Sequence, residues 1–178
     1  KGAAVQIAET STMTGANKDT FPATAKVVAG TVQEANTGFA SNQVTVTGLK
    51  ADTQYSYRYG NTEDNLWSPV YTFTTHSTED GYKAIFVGDP QISGSGNAAS
   101  DGEGWNITMN RAMELVPDAA MILSAGDNSD GKKETEYEAL TSAEQFKKVP
   151  FAPVRGNHDD SNPSHGYHFN MPNLTKYG

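Results

Sequence analysis

Three short stretches of the sequence each place an oxygen-donor side chain directly after a glycine at the end of an apolar run. Asp89 follows YKAIFVG, Asp127 follows DAAMILSAG and Asn157 follows FAPVRG. Continuous apolar runs of this length are typical of buried strands in a parallel sheet, and the carboxyl ends of such strands lie side by side. Two carboxylates and an amide that meet there repel one another or stay unsatisfied unless a cation neutralises them. The pattern therefore predicts a site for one or two divalent metal ions.

The segments between these strands predict the helices that a parallel sheet requires. Four apolar residues recur at helical spacing and predict a helix: Trp105, Met109, Ala112 and Val116. Pro117 then ends this predicted helix. Residues 132–149 are rich in helix formers and carry a charged face, which predicts a second helix. The order β-α-β-α-β predicts an α/β domain with right-handed crossovers over residues 81–178.

The first 76 residues show a different pattern, with short alternating runs separated by turn residues. Within residues 42–48 valine and threonine alternate from Val44 to Thr47, residues 54–60 alternate tyrosine with other residues, and a further run leads to Phe73. Several short strands at this spacing predict an antiparallel β-sandwich over residues 1–76. Polar residues at 76–81 mark the boundary between the two domains.

Composition excludes several classes of protein and of site. The 178 residues carry a formal net charge of −8, which argues against binding to a nucleic-acid backbone, because such binding needs Lys and Arg. No apolar run approaches the roughly 20 residues of a membrane-spanning helix. The sequence has no Cys, so disulfides and thiolate metal sites are excluded, and metal ligands must be His or oxygen donors.

Two parts of the sequence resemble known families. The stretch VTGLKADTQYSYRYG, with the later WSPVYTFTT, resembles the last strands of the fibronectin type III-like domain that precedes the catalytic domain in purple acid phosphatase-like proteins. Leu49 and Tyr57 are expected in its core. The strand ends GDPQ, GDNSD and GNHDD, within Gly88–Asp160, resemble the first three motifs of the calcineurin-like metallophosphoesterases, which run Asp-x-His, Gly-Asp-x-x-Asp and Gly-Asn-His-Asp/Glu. Taken together, the chain is most similar to bacterial relatives of the purple acid phosphatases.

The resemblance implies a two-metal centre of iron, manganese or zinc that activates hydroxide to hydrolyse a phosphate ester. Asp89 is then expected to bind the first metal, Asp127 to bridge both, and Asn157 to bind the second. His158 is expected to face the substrate phosphate and to stabilise or protonate the leaving oxygen. Asp130 is expected to hold the His158 imidazole by a hydrogen bond, although it also suits a cap of the turn before the second helix.

Two residues depart from the family pattern. Gln91 stands where the broad family has a metal-binding His and the purple enzymes have Gly. Its amide oxygen suits weak metal ligation or a hydrogen bond to metal-bound water, and a purely structural role is equally compatible. Asp130 replaces the tyrosine that gives the purple enzymes their colour, so the protein is expected not to be purple.

The later family motifs, a lone His and a Gly-His-x-His, are not in this sequence. His165 and His168 follow the third strand too closely to supply them, so we expect both to be ordinary loop histidines. Asp159 and Asp160 are expected to stabilise the loop rather than to bind metal. The chain thus predicts the N-terminal half of a catalytic domain, inactive by itself, from a secreted, periplasmic or cell-surface protein.

Two functions remain open at this point. The first is a metal-dependent phosphomonoesterase or phosphodiesterase, which the three strand-end motifs favour. The second is a non-catalytic secreted binding module with a decayed phosphoesterase fold, which Gln91 favours.

Overall fold

The architecture is taken from a computed structural model, which describes residues 2–36, 38–77, 79, 81–159 and 163–172. The chain divides into two compact units, Lys1–Gly81 and Tyr82–Gly178.

The first unit consists of antiparallel strands. They are β1 Ala3–Glu9, β2 Lys26–Ala29, β3 Thr31–Glu34, β4 Ala40–Gln43, β5 Gln54–Asn61, β6 Leu66–Trp67 and β7 Tyr71–Thr74, with a 3₁₀ turn at Thr10–Thr12. β1 lies between β2 and β5, and β5 also pairs with β6 and β7 in one sheet, whereas β3 and β4 form a second sheet. The predicted antiparallel organisation of this unit is confirmed.

The tyrosine alternation of β5 produces the predicted two-sided strand. Tyr57 pairs with Ile7 of β1 and with Tyr71 of β7 on one face. Ser56 points to the other face, where it is fully buried and shares a hydrogen bond of 2.9 Å with Thr10. The Ser56 face of β5 is therefore buried at that point, whereas on the other face Tyr57 is half-buried and Tyr59 is 51% exposed.

The predicted strand over residues 42–48 is too long. β4 ends at Gln43, and residues 44–48 lie outside any strand, although Val44 and Val46 are less exposed than the threonines between them. The partner strand β3 begins only at Thr31, opposite Gln43, because the preceding Gly30 already donates to Ala3 of β1. The pairing of β3 with β4 therefore ends at Gln43.

The second unit alternates strands and helices, as predicted. Its elements are β8 Lys83–Val87, α1 Ala98–Leu115, β9 Ala119–Ser124, α2 Glu134–Thr141, a 3₁₀ turn at Glu144–Lys147, β10 Phe151–Pro153 and α3 Ser164–His168. The three strands form a parallel sheet in the order β10-β9-β8. The predicted fold class, antiparallel sheets followed by the first part of an α/β domain, is confirmed.

Helix α1 begins seven residues before the predicted start at Trp105. Asn97 caps it by accepting a hydrogen bond from the Ser100 amide at 3.2 Å. The glycines ahead of Trp105 suggested a loop, but Gly102 is needed where α1 meets α2, because a Cβ there would lie 2.9 Å from the Ala139 Cβ. Trp105 is buried as predicted and donates from Nε1 to the Leu140 carbonyl at 3.1 Å.

One apolar core lies between the helices and the sheet of the second unit. Its buried members are Ile85, Ile92, Trp105, Met109, Ala119, Ile122, Tyr137, Leu140, Ala143 and Phe169. The core fixes the strands and leaves the loops at their carboxyl ends free to carry polar groups. Among the described residues, no helix is both long and apolar enough to span a membrane.

Candidate active site

The loops that follow β8 and β9 run side by side beyond the ends of the strands. The Asp89 amide donates to the Gly126 carbonyl at 3.1 Å, and the Gln91 amide donates to the Asp127 carbonyl at 2.7 Å. A bridge between Ile92 and Ser129 continues the same parallel pairing. The first and second motifs are therefore neighbours, as their positions at adjacent strand ends predict.

The loop after β10 joins the second motif through Asp127. The His158 amide donates to Asp127 Oδ1 at 2.9 Å. Gly156 allows this close approach, because a Cβ at that position would overlap the Asp127 carboxylate and its backbone nitrogen. The glycine before Asn157 is thus explained by contact with the neighbouring loop.

The backbone at the strand ends is strained. Asp89 has φ +56°, Gln91 has φ +37° and Asp127 has φ +51°. Each such conformation of a non-glycine residue costs about 1–3 kcal/mol. Other loops share this feature, since positive φ also occurs at Lys18, Asp52, Asn65, Ser93 and Lys132.

His158, Asp130 and Gln91 form one contact group beside Asp127. His158 Nδ1 lies 3.2 Å from Asp130 Oδ1, so the predicted pairing of this carboxylate with the imidazole is present. The Gln91 amide nitrogen donates to the same Asp130 oxygen at 2.9 Å and lies 3.3 Å from His158 Nε2. With about a third of the His158 side chain exposed (35%), the group is open to a substrate.

These contacts bear on the open role of Gln91. Its amide nitrogen contacts the carboxylate and the imidazole that the sequence predicted to work together. The contacts support a role in holding the His158–Asp130 pair.

The proposed metal ligands suit a hard or borderline divalent ion by their chemistry. Asp89 and Asn157 are exposed and Asp127 is half-buried, all on loops at the same edge of the sheet. Carboxylate and amide oxygens bind such ions, and the strained backbone at both aspartates is what a ligand site would require. Across the described part of the chain, no three His, Cys, Asp or Glu side chains converge as a metal-binding group. The predicted set contains only two residues of those types.

Comparisons with known proteins place the second unit in a family. Residues 82–178 match the calcineurin-like phosphoesterase family. The chain belongs to that family. Residues 1–75 match the N-terminal domain of purple acid phosphatases. The relationship to purple acid phosphatases predicted from the motifs is confirmed.

A purple acid phosphatase isolated from yellow lupin (Lupinus luteus) seeds has a similar fold. The TM-score is 0.64 at 14% sequence identity, over 88% of this chain and 30% of the lupin chain. The present chain thus spans less than a third of that structure. A search of curated proteins found no significant match.

Helix α3 of this phosphoesterase chain contains two histidines that the sequence treated as loop residues, and that prediction is wrong. His165 is 1% exposed and packs against Phe169. His168 stacks on Tyr137 at 4.2 Å, with Nε2 2.9 Å from Glu134 Oε2. Burial lowers the pKa of both imidazoles, and nearby carboxylates, Asp159 for His165 and Glu134 for His168, oppose that effect. Both histidines are therefore packing residues of α3, and His168 also contacts the Glu134 carboxylate.

Two polar residues behind the loops complete the site. Asp159 is fully buried and bonds to the loop that carries Asp127, which confirms the predicted loop-stabilising role. Its neighbour Asp160 lies outside the described residues. Asn128, which the sequence analysis missed, is also fully buried and donates to the Val154 carbonyl at 2.9 Å. No sequence signal separates Asn128 from an ordinary turn residue, because its partners come from a distant loop.

Proposed function

We propose that the protein hydrolyses phosphate esters with the help of two divalent metal ions, iron, manganese or zinc. The observation that carries the proposal is the His158–Asp130 pair, which lies beside Asp127 where neighbouring parallel strands end. Membership of the phosphoesterase family supports the reaction class. In this proposal residues 1–76 are a fibronectin type III-like sandwich and residues 81–178 are the N-terminal half of the catalytic domain.

Asp89, Asp127 and Asn157 are the residues proposed to hold the metals. Bound metals would supply a water of lowered pKa as the nucleophile and would neutralise charge on the phosphoryl oxygens. Asp127 already uses Oδ1 to accept the His158 amide, which fixes the direction of its carboxylate. Asn157 follows the tightly packed Gly156, so its position depends on the same contact.

His158 is the residue proposed to assist the leaving oxygen. Its Nδ1 faces Asp130, so Nε2, which lies 3.3 Å from the Gln91 amide nitrogen, is the ring nitrogen proposed to act on substrate. In the protonated imidazole Nε2 carries a proton for the leaving oxygen, and Asp130 stabilises the positive charge.

The test uses the full-length protein with a chromogenic phosphate monoester and the corresponding diester, in the presence of Mn²⁺, Fe²⁺ or Zn²⁺. We expect metal-dependent turnover that a chelator abolishes and that Asp127→Ala removes. His158→Ala should lower turnover by about 10²-fold or more while the protein still binds metal.

The matched control is Asp118→Asn, because Asp118 is an exposed carboxylate that forms a surface ion pair with Lys83 at 2.8 Å. Its turnover should be unchanged. Absence of turnover with every metal, or full activity of Asp127→Ala, would reject the proposal and favour a non-catalytic binding module.

We also propose a secreted, periplasmic or cell-surface location. The match of the first 75 residues to the purple acid phosphatase N-terminal domain supports it. Fractionation of cells that express the full-length protein tests the location, and recovery in the cytosol alone would contradict it.

A further inference from the structure

Asp159 joins the loops that carry the proposed metal ligands. Its side chain is fully buried and accepts four hydrogen bonds. Oδ2 accepts from the Asn128 amide at 2.9 Å, the Asn128 side chain at 3.0 Å and the Gly156 amide at 3.1 Å. Oδ1 accepts from the Ser129 amide at 3.2 Å. One carboxylate thus binds donors from both the second and the third loop.

The local backbone explains why a carboxylate is needed at this point. Gly126 has φ +107° and Asp127 has φ +51°, and the amides of the next two residues both reach the same carboxylate. Successive amides that point into one concavity form a site for an anion. The Asp159 carboxylate fills it, because buried amides without an acceptor are costly.

Each of the two loops contributes a carboxylate that accepts hydrogen bonds from backbone amides of the other. Asp159 of the third loop binds amides of the second, and Asp127 of the second loop accepts the His158 amide of the third at 2.9 Å. Asn128 adds a third connection, since its side chain donates to the Val154 carbonyl and accepts from Ser124 Oγ at 2.8 Å. The relative position of Asp127 and Asn157 therefore depends on contacts that lie behind them.

We propose that Asp159 is a positioning residue that sets Asp127 and Asn157 at the spacing needed to share a metal centre. The proposal rests on the proposed function and deepens it. Asp159 is fully buried behind the loops, so it acts through the loop amides and not on substrate.

The first measurement is amide hydrogen exchange of the metal-free chain, with Asp159→Asn as the variant. The substitution keeps the shape but removes the charge and turns an amide group toward backbone donors. We expect the His158 amide, which Asp159 does not touch, to exchange at least about tenfold faster than in the unsubstituted chain, because the Asp127 contact loosens. Leu140→Ala, a fully buried core substitution, is the control for general loss of stability.

The same exchange rate at His158 in Asp159→Asn and the unsubstituted chain would overturn the proposal. An increase in the exchange rate of the His158 amide that Leu140→Ala reproduces at equal global stability would also overturn it. If Asp159→Asn does not fold, Asn128→Ala replaces it, because it removes one of the four donors to Asp159 and should change the His158 exchange in the same direction.

The second measurement is Mn²⁺ binding by the full-length protein, monitored by calorimetry. We expect Asp159→Asn to bind about tenfold or more weakly, as for other groups that orient metal ligands, and Leu140→Ala to retain its affinity. If Asp127→Ala abolishes Mn²⁺ binding but Asp159→Asn leaves the Mn²⁺ affinity unchanged, the proposal is overturned. A full-length protein that binds no Mn²⁺ would instead reject the proposed function, and the exchange result would then decide the role of Asp159 alone.

Discussion

The His158 ring is held on both sides. Asp130 faces Nδ1 at 3.2 Å, and the Gln91 amide lies 3.3 Å from Nε2 while it also donates to Asp130. Asp130 and Gln91, which lie on two other loops, thus determine the orientation of the His158 ring. An imidazole that acts on a leaving group must present one nitrogen in a fixed direction, so this arrangement suits the proposed role.

Substitution of Gln91 separates its two proposed roles. We expect Gln91→Ala in the full-length protein to lower turnover by about tenfold, because His158 loses a positioning contact, while Mn²⁺ affinity stays within about twofold. Steady-state kinetics and calorimetry measure the two effects. A large fall in affinity together with turnover would show that Gln91 is a metal ligand.

The neighbouring loop that carries Asp127 determines the residue type at Gly156. We expect Gly156→Ala to destabilise the second unit by about 1–3 kcal/mol, because the added methyl group overlaps the Asp127 carboxylate and backbone nitrogen. Gly104→Ala is the matched control, since Gly104 lies within α1 and a Cβ there meets nothing within 4 Å. It should stabilise by about 0.5–1 kcal/mol. Urea unfolding compares the two, and equal effects of the same sign would contradict the packing argument.

At the scale of elements, α3 adds a pH-dependent contribution to the stability of the second unit. Burial lowers the pKa of His165 and of His168 below the ordinary value of 6.5. The unfolded chain therefore binds protons at a higher pH than the folded chain does, and the free energy of unfolding decreases as the pH falls below 6.5 toward the lowered values.

We expect His165→Phe to reduce the slope of unfolding free energy against pH between about pH 6.5 and pH 5. The control is His76→Gln, an exposed histidine of the first unit, which should leave that slope unchanged. Urea unfolding at several pH values measures both. An identical slope in His165→Phe and the unsubstituted chain would show that His165 is not the group responsible.

At the scale of the whole chain, each compact unit has buried apolar residues of its own. Ile7 is 4% exposed in the first unit, and Leu140 is fully buried in the core of the second. Because each core is sufficient to define a unit, we expect each unit to have its own unfolding transition.

Differential scanning calorimetry tests this expectation with one core substitution in each unit. Ile7→Ala should lower the midpoint temperature of one transition and Leu140→Ala that of the other, because each substitution removes about 2–5 kcal/mol of unfolding free energy from its own unit. A single transition shifted by both substitutions would contradict independent unfolding.

The apolar runs and the glycines after them were sufficient to predict the parallel strands and the grouping of their carboxyl ends. Local pattern carries that information, because burial of a strand requires a continuous apolar run and a sharp turn favours glycine. The pattern failed where partners decide the outcome. β4 ends at Gln43, where its pairing with β3 ends. Helix α1 extends back to Ala98 because Asn97 caps it and Gly102 fits against α2.

The sequence by itself placed Asp89, Asp127 and Asn157 at the ends of predicted strands, and the family resemblance implied the roles of Asp130 and His158. Only the tertiary structure decided what holds them. Gln91 contacts Asp130 and His158, Asp159 binds the amides of Asn128 and Ser129, and His165 is buried rather than exposed. These contacts join residues that lie about 30 or more positions apart in several cases, and their geometry depends on the packing of separate loops.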